Sequence, residues 1–151
     1  MRSALAFAAL TLLAACTPPA PQAPAPAAGS DAGGGAAGPL VTTLSVEPAA
    51  DSVRFLLQVT NATQGPLTLE FRSGQSYDFT VSDEGRPLWR WSQEMMFTQA
   101  LRSETLAPGE TRAYHASWRP GGDLRGRLLT ATAHLASSNY PVERSQAFRL
   151  P

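Results

Sequence analysis

From Leu40 onward apolar and polar residues alternate in short runs, and turn-forming residues interrupt them before any helical period is established. That pattern leaves few folds open. In Val53-Arg54-Phe55-Leu56-Leu57-Gln58-Val59-Thr60, a two-residue period places Val53, Phe55, Leu57 and Val59 on one side, as a half-buried strand requires. Similar runs cover Leu40 to Val46, Leu67 to Phe71, Tyr77 to Val81, Leu88 to Trp91, Arg112 to Trp118, Leu128 to Leu135 and Gln146 to Leu150. Turn signals at Gln64-Gly65-Pro66, Ser73-Gly74, Asp83-Glu84-Gly85, Ala107-Pro108-Gly109 and Pro120-Gly121-Gly122 separate them. About seven or eight short strands with frequent turns predict an all-β antiparallel sandwich of immunoglobulin-like type. The periodicity does not give the strand order.

The hairpin from Tyr77 to Trp91 allows a sharper expectation. A three-residue turn at Asp83-Glu84-Gly85, with Gly85 left-handed, sets Tyr77 opposite Trp91, Phe79 opposite Trp89 and Asp78 opposite Arg90. Phe79, Trp89 and Trp91 would then be core, each ring contributing roughly 4 to 6 kcal/mol on burial. Asp78 and Arg90 would pair on the opposite face. A one-residue slip would expose both tryptophans and bury Arg90, so the register is strongly specified.

The N-terminus carries an address. Met1-Arg2 supplies a positive start, Ser3 to Leu13 form a short apolar run, and Leu13-Ala14-Ala15 place small residues before Cys16. This resembles a lipobox, which implies removal of residues 1–15 as a signal peptide and acylation of Cys16. The apolar run is about half of the roughly 20 residues that cross a bilayer, which disfavours a permanent transmembrane helix. Two or three acyl chains hold a protein on a membrane essentially permanently, whereas one does not. The competing reading is an ordinary signal peptide with an incidental cysteine. Thr17 is not the Asp associated with inner-membrane retention, so the expected location is the cell envelope, at the outer membrane if the cell has one. Residues 16–39 consist largely of Pro, Ala, Gly and small polar residues, too poor in apolar surface to fold, and read as a linker. One domain remains, residues 40–151.

Composition excludes several functions. Twelve basic residues balance twelve acidic ones, and loss of Arg2 with the signal leaves eleven against twelve, so nucleic acid is not an expected partner. A single cysteine rules out an internal disulfide or a cysteine-rich zinc site. His115 and His134 fall in expected strands, no G-x-S-x-G elbow is present, and no His/Asp/Glu cluster has metal-ligand spacing. No enzyme, catalytic residue, cofactor or metal is therefore expected.

The run FRSGQSYDFTV from Phe71 to Val81, then LWRWS from Leu88 to Ser92, MFTQ from Met96 to Gln99 and LAPGET from Leu106 to Thr111, resembles the BsuPI-like intracellular proteinase inhibitors. The resemblance covers about Val41 to Leu150. Residues Ser73, Gly74, Gln75, Asp78, Phe79, Trp89, Trp91, Ser92, Phe97, Gln99, Pro108, Gly109 and Glu110 stand at the family's motif positions. It implies an immunoglobulin-like sandwich, and it implies a protein partner, in the family's case a serine proteinase. The alternative is a structural or adhesive envelope module without inhibitory activity, working by strand addition.

Candidate binding residues follow from both readings. Asp78 with Arg90 either forms a recognition site or a cross-strand ion pair; Gln75 and Gln99 either face a partner or satisfy backbone groups around Ser92 to Met96. A substrate-like inhibitor needs an exposed, stiffened loop. Two loops qualify: Arg119 to Arg127, where Arg119, Arg125 and Arg127 could set specificity, and Gln93 to Arg102. Against the first stands a simple Pro120-Gly121-Gly122 turn, and Trp89 with Trp91 read more simply as core than as a stacking surface.

Overall fold

A computed structural model describes residues 38–151 and the backbone of Gly35–Ala36. The expected signal segment, Cys16 and most of the expected linker lie outside the described residues. The strands are β1 (Gly35–Ala36), β2 (Leu40–Pro48), β3 (Val53–Asn61), β4 (Leu67–Phe71), β5 (Tyr77–Asp83), β6 (Arg86–Arg90), β7 (Arg102–Leu106), β8 (Thr111–Trp118), β9 (Leu128–Leu135) and β10 (Val142–Arg149). A 3₁₀ turn, Trp91–Glu94, follows β6.

Every pairing is antiparallel. One sheet runs β1-β2-β3-β8, a second runs β10-β9-β5-β6, and β4 pairs with β7 alone. Alternation decides which side of each strand is buried. In β3 the inward set is Val53, Phe55, Leu57, Val59 and Asn61; in β9 it is Leu129, Ala131, Ala133 and Leu135. The second sheet adds Phe79, Val81, Trp89 and Phe148, while Leu67, Leu69, Phe71 and Leu106 close the core from the β4-β7 pair. The result is the expected all-β sandwich. Phe55 lies at its centre, stacked on Phe79 and on Trp89, each at 5.6 Å between centroids, with Phe148 edge-on at 6.3 Å.

The hairpin register differs from the sequence expectation. Asp83 pairs with Arg86 across a two-residue turn, with Glu84 at φ 48° and Gly85 at φ 83°. Both central residues are left-handed, as the tightest hairpin connection demands. The register then shifts between Val81 and Ser82, so that Val81 faces Trp89 and Thr80 faces Arg90. Pro87, which has no N–H to give to the ladder, lies in this irregular part of β6. The expected pairs Phe79–Trp89 and Asp78–Arg90 are therefore displaced by two positions, which keeps every side chain on its expected face. The expected strand also ends one residue early, because Trp91 opens the 3₁₀ turn.

Strand β7 was not expected. Only Leu106 in it is an apolar residue at a buried position; the inward sites Arg102 and Glu104 are filled by a charged pair, with the Arg102 guanidinium 4.9 Å from the centre of the Phe71 ring. Binary patterning is blind to a strand built this way.

Candidate functional site

Strand β5 places Asp78 on the face opposite Phe79, where the carboxylate is buried rather than exposed. Its Oδ1 accepts from the Phe79 N–H at 2.9 Å and the Ser92 N–H at 3.0 Å, and its Oδ2 accepts from the Ser92 hydroxyl at 2.7 Å. The half-exposed Arg90 adds its Nε at 3.1 Å. Four donors around one buried carboxylate make a clamp, and the expected Asp78–Arg90 pair is one arm of it. The register explains the geometry: with Thr80 opposite Arg90, Asp78 comes level with Ser92, so Arg90 reaches it diagonally. The start of the 3₁₀ turn is thereby fixed to β5.

The aromatic residues stiffen the same corner. Trp91, half-buried, stacks on Tyr77 at 4.3 Å and contacts Phe97 at 5.6 Å. Tyr77 packs on Tyr114 at 4.9 Å and donates its hydroxyl to the His115 carbonyl at 3.0 Å, which ties the corner to the opposite sheet. Burial pushes the Tyr77 phenol above its ordinary range. Trp89 belongs to the core, and its indole N–H donates to Glu94 of the 3₁₀ turn at 2.6 Å.

Beyond the turn, residues 95–101 form a non-helical strap leading to β7. Its underside is held by the turn from Ser73 to Ser76. The Gly74 N–H donates to the Thr98 carbonyl at 2.8 Å, and a Cβ on Gly74 would lie 2.8 Å from the Thr98 hydroxyl oxygen and 3.3 Å from its nitrogen. A side chain there would crowd Thr98, and glycine allows the close approach. Gln75 shapes that turn, its N–H donating to Ser73 Oγ at 3.2 Å and its side-chain amide to the Tyr77 carbonyl at 3.2 Å. At the far end of the strap Arg102 donates to Ser76 and to Glu104. The strap is thus pinned at its start by Asp78, in the middle by Gly74 and at its end by Ser76.

Its upper side faces solvent. Met96 is 100% exposed, Leu101 82% and Met95 46%; Gln99 is exposed and Phe97 half-buried. Of the sequence-predicted candidates, Asp78 and Arg90 pair beside the turn that leads into the strap, Gln75 shapes the turn that supports it, and Gln99 lies on it. Arg119, Arg125 and Arg127 occupy the separate connection from β8 to β9. There Arg127 is ion-paired with Asp83, while Arg119 and Arg125 are exposed.

The remaining motif, Leu106 to Thr111, folds around Asn61, which the sequence pattern did not single out. Asn61 is fully buried: its amide donates to the carbonyls of Gly65 (2.8 Å) and Leu106 (2.9 Å), and its Oδ1 accepts from the Thr63 N–H (2.9 Å) and hydroxyl (2.7 Å). Its backbone bonds to Gly109 and Glu110, and Glu110 caps the turn through the Ala107 N–H at 2.8 Å. The available signal was position: Asn61 continues the inward period of β3. Both histidines are exposed, and among the described residues no group of three or more His, Cys, Asp or Glu could hold a metal ion. No helix among the described residues is long and apolar enough to cross a membrane.

Fold and site together define an antiparallel β-sandwich that presents one braced, apolar strap. The chain belongs to the BsuPI family, described as intracellular proteinase inhibitor, whose model matches residues 40–142. No curated protein matches the chain. Among solved structures, the putative ApaA protein from Bordetella pertussis is 17% identical over 74% of this chain and 92% of that one, with a TM-score of 0.37. The GAE domain of yeast GGA1 is 10% identical over 78% of this chain and 96% of that one, with a TM-score of 0.30. The GAE domain of GGA2p from Saccharomyces cerevisiae is 12% identical over 78% and 94%, at 0.27.

Proposed function

We propose that this chain is an exported, lipid-anchored member of the inhibitor family whose domain binds a serine proteinase outside the cytoplasm and blocks it without turning over a substrate of its own. The observation that carries the reading is convergence. Residues at the family's motif positions brace one strap whose upper side is open to solvent: Asp78 holds Ser92 in the turn that leads into it, Trp91 packs on its Phe97, and Gly74, in the turn that Gln75 shapes, bonds to its Thr98. Such a motif set stiffens a recognition loop in a chain that has no disulfide to do so, lowering the ordering entropy lost on binding. The address comes from the sequence: a positive start, a short apolar run and small residues before Cys16. A proteinase confined to the cytoplasm is then out of reach, whatever the family's name.

Titrating the full chain, kept in detergent, against a panel of extracellular serine proteinases tests this, with mass spectrometry of each mixture. Stoichiometric loss of proteinase activity with an intact or singly clipped chain is expected. Ordinary degradation of the chain without inhibition of any panel member would overturn it and leave an envelope interaction module.

A further inference from the structure

We infer that the strap is the contact loop and that Met96 fills the primary specificity pocket of the target, which must therefore be apolar. This rests on the inhibitor reading and deepens it. Five large apolar residues are exposed among the described residues, Val41, Met95, Met96, Leu101 and Leu128. Three of them fall within the seven-residue strap, whereas Val41 and Leu128 stand singly on strands. Scattered exposed apolar side chains need no explanation, but a cluster on one loop marks an interaction surface, and methionine is enriched at such surfaces. Its unbranched, polarizable side chain adapts to an irregular apolar pocket.

Backbone shape supports the same assignment. Met95 is extended, at φ −123° and ψ 153°, and no residue from 95 to 101 has a positive φ. The strap contains no glycine, is bonded from below at Thr98, and is flanked by Ser92 and Arg102, each held by a side chain beneath. A braced segment that begins extended at Met95 enters a proteinase cleft with little further loss of entropy. The rival connection from Arg119 to Arg127 contains Gly121, Gly122 and Gly126, two of them left-handed, and its Arg127 is already paired with Asp83.

Charge selects the class of target. No residue from Met95 to Leu101 is ionisable, so a pocket with an acid at its base would bury that acid without a partner. An apolar pocket meets no such cost and gains the burial of Met96 and its neighbours.

Subtilisin and chymotrypsin, with apolar pockets, and trypsin, with an acidic one, serve as probes against the full chain in detergent and its Met96→Asp and Met96→Arg variants. Met96 touches nothing in the fold, so both variants should keep the parent's unfolding midpoint in urea. Inhibition of at least one apolar-pocket enzyme is expected, weakened by about 100-fold or more in Met96→Asp. Met96→Arg should shift inhibition toward trypsin. Undiminished inhibition by Met96→Asp would overturn the strap assignment and leave the inhibitor reading standing. Failure of the parent chain to inhibit any of the three enzymes would overturn this inference, and the broader proteinase panel decides the inhibitor reading separately.

Discussion

Asp78 and Tyr114 are both buried polar residues, and the fold treats them differently. The Asp78 carboxylate has donors on both oxygens, including the backbone N–H of Ser92. Removing it strands those donors, so Asp78→Ala should cost about 3 kcal/mol in urea unfolding. Arg90→Ala, which removes only the half-exposed arm, should cost within about 1 kcal/mol; equal losses would mean that the ion pair, not the clamp, holds the corner. The Tyr114 hydroxyl, in contrast, has no protein hydrogen-bond partner. Burial, aided by the nearby Glu104, pushes its phenol up to about 12. The folded value lies above the unfolded one, so the stabilisation is complete below about pH 10 and is lost as pH rises to about 12, to an extent of roughly 2–3 kcal/mol. Tyr114→Phe should therefore match or slightly exceed the parent below pH 10 and gain on it above, in urea unfolding followed across that range. A difference independent of pH would refute the assignment.

At the scale of elements, what was legible in the sequence and what was not divide along physical lines. Strands whose inward positions are mostly apolar, such as β3, β4 and β9, follow directly from their two-residue period. Strand β7 does not, because Arg102 and Glu104 occupy its inward sites and neutralise each other there. The hairpin's faces were legible but its register was not: the sequence cannot show that Glu84 accepts a left-handed conformation or that a bulge restores the parity. The same limit hid the brace under the strap, since the contact between Gly74 and Thr98 joins a turn to a segment with no periodicity of its own. That contact makes a sharp prediction. In Gly74→Ala the new methyl crowds the Thr98 hydroxyl and needs the Thr98 backbone to give by a few tenths of an ångström, at about 1–3 kcal/mol, and proteinase inhibition should weaken along with stability. Gly121→Ala meets nothing within 4 Å and should leave both measurements unchanged. If Gly74→Ala keeps full inhibition, the strap's position does not matter to binding.

For the whole molecule, the question is what the proposed lipid anchor would add to the proposed inhibition. β1 pairs with β2 through Gly35 and Ala36, so the stretch available as a tether from its composition runs from Thr17 to about residue 34. An anchored domain then meets partners in a thin layer above the membrane at a high effective concentration, and a modest intrinsic affinity is enough for a proteinase working in that layer. The expected consequence separates anchoring from inhibition. Cys16→Ser, expressed in a host with the lipoprotein pathway, should move the chain from the membrane fraction to the soluble one. Inhibition measured in detergent solution should be unchanged, because Cys16 lies far along the chain from the strap. Inhibition of a proteinase added to intact, membrane-bearing cells should fall. If instead the parent chain is recovered soluble, with an unmodified Cys16 thiol, the anchor does not exist and the domain works by its intrinsic affinity alone, which would then have to be correspondingly tight.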